Sequence, residues 1–128
     1  EETEILASWR SDGEYHERTC SLGELIEGAF STEPGQKIAY VVDSVFNDDN
    51  AERVIALAQG ADCLFIETMF LDRDAEIAWA RKHLTARQAG DLARRAGVKR
   101  LVPLHYSPRY KHEKDRLWQE AMDAFSPP

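Results

Sequence analysis

Three short apolar runs along the chain predict buried β-strands. They read KIAYVV from residue 37, CLFI from residue 63 and RLVPL from residue 100. Continuous apolar runs of about four to eight residues are typical of strands that are covered on both faces. Pro103 lies in the third run and cannot donate a hydrogen bond to a neighbouring strand. We therefore expect this strand at the edge of a sheet, or ending close to the proline.

The segments between these runs have the apolar spacing of amphipathic helices. One helix is expected to be capped by Asp49 and to end at Gly60. A second is expected to begin with the capping-box pair Thr85 and Gln88 and to end at Gly97. Two further helical stretches read RDAEIAWAR and EKDRLWQEAMDAF. Strands that alternate with helices indicate an α/β fold, in which a sheet is layered with helices.

The first third of the chain has a different pattern. TEILASWR and EYHERT flank an Asp12-Gly13 pair, which predicts a β-hairpin. SLGELIEG then predicts a short helix that stops at Gly28. The length of 128 residues suits a single domain. We divide it into a hairpin and short helix (1–33), a motif-bearing α/β part (34–112) and a C-terminal helix (113–128).

Composition favours a globular protein of the cytoplasm. The chain is 43% hydrophobic and 30% charged, which allows both a core and a soluble surface. No run of about 18 apolar residues predicts a membrane span, and no apolar signal region opens the chain. Cys20 and Cys63 do not form a disulfide framework, which fits a reducing compartment. Cys63 lies in an apolar run, where we expect it to act as a small hydrophobe.

The net charge of -7 is spread unevenly. Residues 1–80 carry 5 basic and 18 acidic side chains, whereas residues 81–116 carry 11 basic and 3 acidic ones. A basic segment in an acidic chain can attract a polyanion locally. A solvated helix face rich in Arg and Lys is the plainer interpretation, and the sequence leaves both open.

An ionisable residue follows each of the three strand-like runs. They are Asp43, Glu67 and His105, and His83 lies in the loop that leads into the second helix. Because chemistry in such sheets gathers beyond the carboxyl ends of the strands, we expect these four side chains to converge at one edge. A carboxylate can bridge two metal ions and an imidazole can bind zinc. A Glu–His pair outside the metals can orient and protonate a leaving group.

Each of these residues also has a plainer explanation. Asp43 precedes a polar loop and could start a turn, and Glu67 could form a structural ion pair with an arginine. His83 could be the neighbour of a helix cap or a surface histidine, and His105 could be a hydrogen-bonded core histidine.

Four ordered stretches between about Pro34 and Tyr110 carry a resemblance to a known family. They read GQKIAYVVDS, ADCLFIETMF, KHLTARQAGDLARRAG and LHYSPRY. They resemble motifs in the C-terminal half of ribonuclease Z, the tRNA 3′-end processing enzyme of the metallo-β-lactamase superfamily, and of its close relatives. The resemblance implies that the chain is half of a metallo-β-lactamase-type αββα sandwich.

The same resemblance implies a role for each of the four candidate residues. In the complete enzyme, Asp43 would bridge two zinc ions and His105 would be a ligand of one. His83, assisted by Glu67, would protonate the leaving oxygen of a phosphodiester. The implied substrate is RNA.

The chain departs from the family's pattern at several places. Ile66 stands where the family usually has His, Leu84 where it has Ser, and Val42 where it has Gly. The family's His-x-His-x-Asp-His motif is absent from the chain. With two metal ligands, the chain alone is expected to bind zinc weakly or not at all and to be inactive.

These departures leave two alternative functions open, and two candidate partners could cover the sheet. The complete enzyme could hydrolyse a small ester, lactone or sulfate ester, or the chain could be a non-catalytic dimerisation or binding module. The inner face of the sheet should be apolar and need cover from the missing N-terminal half or from a second copy in a homodimer. The chain opens with Glu1 instead of Met, as a piece of a longer protein would.

Overall fold

The chain is described by a computed structural model that covers residues 3–31 and 33–126. It divides into two compact units, the first ending at Gly35 and the second beginning at Gln36. Each unit is described by itself. The single domain expected from the length stays a prediction.

The first unit contains the hairpin that the sequence predicts. Strands β1 (Glu4–Ser11) and β2 (Glu14–Ser21) pair antiparallel along their whole length. Asp12 and Gly13 form the turn with φ of 54° and 85°. Positive φ at both central residues is the conformation that Asp-Gly favours, and it matches the twist of a two-residue hairpin.

A short helix, α1 (Leu22–Ala29), follows the hairpin directly. Ser21 caps it: its side chain accepts a hydrogen bond from the Glu24 N–H, and the Glu24 carboxylate accepts one from the Ser21 N–H. The helix continues one residue past Gly28, so the glycine did not stop it where the sequence predicted.

The second unit is built on a parallel three-stranded sheet in the order β3-β4-β5. The strands are β3 (Ile38–Val41), β4 (Cys63–Glu67) and β5 (Leu101–Leu104). In this order β5 is at an edge, which explains how Pro103 is accommodated. The central strand β4 ends with Glu67 level with Leu104 of β5.

Four helices and two short 3-10 turns connect and cover these strands. The helices are α2 (Asp48–Ala58), α3 (Ala75–Arg81), α4 (Ala86–Arg95) and α5 (Lys114–Phe125), and the turns are Asp72–Asp74 and Pro108–Tyr110. None of the helices in the described part of the chain has the length and apolar character needed to cross a bilayer.

The helix caps agree with the sequence in one case and differ in the other. Thr85 and Gln88 form the expected capping box at the start of α4. The expectation that Asp49 caps α2 was wrong, because the Asn47 side chain accepts the hydrogen bond from the Asn50 N–H and the helix begins at Asp48. Asn and Asp are about equal as caps, so the run NDDN does not itself select one.

The two faces of the sheet differ in cover. One face packs against the helices and carries the buried side chains Ala39, Val41, Leu64, Ile66 and Leu101. On the other face, called the open face below, Ile38 and Tyr40 are 60% and 62% exposed. Phe65, Val102 and Leu104 are half-buried on the same face. The open face is therefore apolar, as the sequence analysis expected.

Helices α4 and α5 approach each other at Gly90. A Cβ atom added to Gly90 would lie 2.1 Å from the Ala121 carbonyl oxygen and 2.8 Å from the Ala124 Cβ. Only a residue without a side chain fits this contact, in which the backbone of α5 touches that of α4.

Among the described residues, Tyr110 is the largest side chain that is almost fully buried, with 1% exposed. Its hydroxyl donates a hydrogen bond to the Asp74 carboxylate. Its ring meets Phe70 edge-on, with ring centroids 6.3 Å apart. Burial, together with the hydrogen bond to Asp74, raises the pKa of Tyr110 to about 12.

The Gly90→Ala substitution is expected to lower the free energy of unfolding by about 1–3 kcal/mol, because the methyl group overlaps the backbone of α5. Alanine in an open helix would instead add about 0.5–1 kcal/mol. Gly28→Ala is the matched control, since a Cβ there meets nothing within 4 Å. Urea unfolding of both variants measures the difference, and equal stabilities would contradict the close contact.

Stability is also expected to fall in alkali because of Tyr110. The unfolded phenol ionises near pH 10, whereas the folded one keeps its proton to about pH 12. Between these values the unfolded state binds fewer protons, so stability decreases as pH rises, by at most about 1.4 kcal/mol per pH unit. Tyr110→Phe should flatten this slope in urea unfolding between pH 8 and 11.5. Tyr40→Phe, at an exposed ring, is the control, and an equal slope in both variants would be contrary to the expectation.

Candidate metal centre

Glu67 is a fully buried carboxylate with four hydrogen-bonding contacts. Its Oε1 accepts hydrogen bonds from the backbone N–H groups of Ser44 and Leu84, at 2.9 and 3.1 Å. Its Oε2 lies 2.9 Å from Nδ1 of His83 and 3.2 Å from Nδ1 of His105. An ionised carboxylate only accepts, so in the charged form of Glu67 each Nδ1 carries the proton and donates the hydrogen bond.

These contacts join three separate segments of the second unit. Ser44 follows β3, the pair of residues 83 and 84 precedes α4, and His105 follows β5. The carboxylate at the end of the central strand therefore holds the segments on both of its sides. Thr68 adds a second link, because its N–H and its hydroxyl both donate to the carbonyl of Leu104, at 2.8 and 3.3 Å.

Asp43 completes the group on the solvent side. Its Oδ1 lies 3.7 Å from Nδ1 of His83 and 3.9 Å from Nδ1 of His105, and its side chain is 69% exposed. One donor atom from each of Asp43, Glu67, His83 and His105 lies within 4.8 Å of the others. The structure thus brings together all four residues that the sequence selected.

The backbone at this edge is in an uncommon conformation. Asp43, Lys82 and His105 have φ of 54°, 63° and 56°, the left-handed region. For residues with a Cβ this conformation costs roughly 1–2 kcal/mol each. Strain of this kind collects at sites where a side chain must be held in a required direction. Two of the three residues belong to the group, and Lys82 directly precedes His83.

The structure disfavours the plainer explanations for these residues. Glu67 contacts two imidazoles and two backbone amides, and it forms no ion pair with an arginine among the described residues. His83 is 20% exposed and hydrogen-bonded, so it is not a free surface histidine. His105 is 38% exposed, so it is not a core histidine.

Carboxylate oxygens and imidazole nitrogens are suitable donors for zinc. Glu67 and both Nδ1 atoms are engaged with one another, which leaves the Asp43 carboxylate and the Nε2 atoms for other partners. The donor types therefore fit a metal ion, and Asp43 and His105 are the exposed members of the group that could hold one. Two such ligands are fewer than the four, or three plus water, of a usual zinc site.

Sequence reasoning missed the main-chain donors of the site. Leu84 is 1% exposed, and it contributes its N–H to Glu67 rather than its side chain. Any residue except proline supplies that donor, so the sequence carries no signal for it. Ile66 is fully buried and on the face of the sheet that the helices cover. The side chains of Ile66 and Leu84, two of the three residues that depart from the family's pattern, are thus buried in the core.

Comparison with known proteins places the chain in a family. Residues 6–106 match the family model described as a beta-lactamase superfamily domain. Ribonuclease Z of Thermobifida fusca is 47% identical over 94 residues, which cover 73% of this chain and 28% of that protein. Ribonuclease Z of Nostoc sp. PCC 7120 is 43% identical over 114 residues, which cover 84% of this chain and 34% of that protein. The chain thus spans about three tenths of the length of these relatives.

A solved structure shows the same fold. The metallo-beta-lactamase fold protein YhfI from Bacillus subtilis superposes with a TM-score of 0.60 and 22% sequence identity, over 96% of this chain and 43% of that one. With a family model that matches most of its length and a fold neighbour that covers nearly all of it, the chain belongs to the beta-lactamase superfamily domain family.

Proposed function

We propose that the chain is the C-terminal part of a zinc-dependent phosphodiesterase that cleaves RNA, as an endoribonuclease of tRNA 3′ ends in the cytoplasm. The observation that carries this proposal is the convergence of Asp43, Glu67, His83 and His105 within one group of donors. Relatives named ribonuclease Z, 47% and 43% identical over most of the chain, support the choice of substrate.

In this proposal two residues of the chain bind metal and a third donates a proton. Asp43 and His105 hold metal, which when bound would polarise the phosphate and activate water. The Nδ1–H of His83 donates a hydrogen bond to Glu67, which fixes the orientation of the ring. The other ring nitrogen, Nε2, is then available to carry the proton for the leaving oxygen.

The ligand set of this chain is incomplete, and we propose that another polypeptide segment completes it. The chain covers about three tenths of the length of its relatives, and the open face of its sheet leaves Ile38 and Tyr40 without cover. The missing N-terminal half of the fold would cover this face and supply further ligands. A second copy of the chain is the alternative partner. By itself the chain is inactive in this proposal.

Zinc titration by calorimetry is expected to show no stoichiometric binding tighter than about 1 µM, because two free ligands fall short of the roughly four that zinc takes. His105→Ala should abolish the residual weak binding. His112→Ala, at an exposed histidine outside the group, should leave it unchanged. Submicromolar stoichiometric binding would show that the chain forms a complete site alone.

A chimera tests the activity directly. The 94-residue segment of Thermobifida fusca ribonuclease Z that matches this chain is exchanged for the segment of this chain. The chimera should hydrolyse bis(p-nitrophenyl) phosphate and cleave RNA. On RNA, whose leaving ribose oxygen needs a proton, His83→Ala should lower kcat by about 10²–10⁴-fold because it removes the proton donor. His112→Ala is again the control.

Two results of the chimera experiment would reject the proposal. A folded chimera that hydrolyses p-nitrophenyl esters, lactones or sulfate esters but not the phosphodiester would favour the small-ester alternative. A chimera with a native circular dichroism spectrum and no activity towards any of these would favour a non-catalytic module.

A further inference from the structure

The hydrogen bond from His83 to Glu67 leaves the imidazole ring some freedom to turn. Nδ1 of His83 lies 2.9 Å from Oε2 of Glu67, and hydrogen bonds keep most of their strength at donor angles down to about 150°. The torsion that turns a histidine ring has broad minima, so its own rotamer preference does not hold the ring. The ring can therefore tilt by roughly 30° and keep this contact, and Nε2 moves with it. The direction of Nε2 thus depends on the groups that pack against the ring.

Two other rings lie against this imidazole. The Phe70 ring centroid is 6.2 Å from that of His83 with 42° between the planes, and the His105 centroid is 5.5 Å away at 80°. Both separations are within the range of about 4.5–7 Å in which aromatic rings attract each other. His105 is 38% exposed and belongs to the candidate metal centre. Phe70 is 6% exposed and belongs to the core, so it is the buried apolar neighbour of His83.

The main chain holds Phe70 in register with the segment that carries His83. The Phe70 N–H donates to the Leu84 carbonyl at 3.3 Å, and the Phe70 carbonyl accepts from the Ala86 N–H at 2.7 Å. Residues 70 and 85 form a parallel bridge beside the loop that carries His83. The backbones of Phe70 and His83 are therefore fixed relative to each other, and side-chain rotation is what can change the contact between the two rings.

The Phe70 side chain is in turn supported by Tyr110. The Tyr110 ring meets Phe70 edge-on, with centroids 6.3 Å apart and 89° between the planes. Tyr110 is 1% exposed, and its hydroxyl donates a hydrogen bond to the Asp74 carboxylate just before α3. Phe70 thus packs against a side chain that is anchored at both ends, by its own backbone and by Asp74. Rotation of Phe70 away from His83 would disrupt this edge contact.

We infer that Phe70 is a positioning residue, whose ring, supported by Tyr110, holds the imidazole of His83 so that Nε2 stays directed at the leaving oxygen. The inference rests on the proposed function, in which His83 carries the proton for that oxygen. Phe70 has no atom that binds metal or exchanges a proton, so it acts only through His83. Leucine or methionine at this position keeps the core largely filled but lacks the flat, rigid face, so the imidazole gains freedom to tilt.

Leaving groups of different basicity test the inference in the chimera. The leaving ribose oxygen of RNA needs a proton, whereas p-nitrophenolate leaves as an anion. Phe70→Leu should therefore lower kcat on RNA by about tenfold or more, a part of the roughly 10²–10⁴-fold that general acids contribute. It should leave kcat on bis(p-nitrophenyl) phosphate and both KM values unchanged. An equal fall in kcat on both substrates, or no change on either, would overturn the inference.

Two further variants make this comparison specific. Phe70→Met should show the same selective loss, and methionine adapts to irregular core sites if leucine does not fold there. Phe65→Leu is the matched control, because the Phe65 ring pairs with Tyr40 at 6.5 Å on the open face of the sheet. Its ratio of kcat on RNA to kcat on the nitrophenyl substrate should equal that of the parent chimera. A fall in this ratio as large as that in Phe70→Leu would contradict a role specific to Phe70.

Nuclear magnetic resonance of the isolated chain in EDTA tests the positioning without any activity. Carbon-13 relaxation gives an order parameter for the ring C–H bonds of His83. Values of about 0.85 are typical of rigid groups, and values below about 0.6 are typical of flexible ones. Phe70→Leu and Phe70→Met should lower this order parameter towards the flexible range, whereas Phe65→Leu should leave it at the parent value. An unchanged order parameter in both Phe70 variants would reject the inference.

The inference and the proposed function fail separately. A chimera that cleaves no phosphodiester, together with a His83 ring that becomes mobile in Phe70→Leu, would reject the phosphodiesterase and leave the positioning contact standing. A chimera that cleaves RNA with the same ratio of kcat values in Phe70→Leu and Phe70→Met would leave the activity standing and reject the positioning role.

Discussion

The arrangement of the second unit depends on one buried carboxylate. Glu67 has no exposed surface, and a carboxylate in that position is stable only if its oxygens are hydrogen-bonded. Four donors meet this requirement, and they come from the segments that follow β3, precede α4 and follow β5. Satisfying one side chain therefore sets the positions of three loops. No buried side-chain polar atom in the described residues is left without a partner.

Strand order explains why this carboxylate can reach so many partners. β4 is the middle strand, so the segments that leave β3 and β5 pass on either side of its last residue. All three strands are parallel, and their carboxyl ends share one edge. The left-handed conformations of Asp43 and His105 occur where the chain leaves the flanking strands. The strand order thus brings Asp43, Glu67 and His105 to one edge of the sheet, and the left-handed backbone of Asp43 and His105 sets the orientation of their side chains.

The sequence predicted the strands, the capping box of α4 and the convergence of the four candidate metal-site residues, because each leaves a signal in residue type and spacing. A buried run followed by Asp, Glu or His marks a strand end whatever the tertiary contacts are. It did not predict that Asn47 caps α2, since neighbouring Asn and Asp residues are chemically equivalent caps. It also did not predict the contact at Gly90 or the amide donors of Ser44 and Leu84. Those depend on distances across the fold and on main-chain atoms that every residue has.

The open face of the sheet also affects how the chain behaves during synthesis and storage. Ile38 and Tyr40 stand on β3, which is an edge strand in the described part of the chain, so an apolar surface adjoins unpaired main-chain groups. Such an edge is a template for strand addition by any neighbouring polypeptide. Ordered aggregation at high concentration begins from edges of this kind.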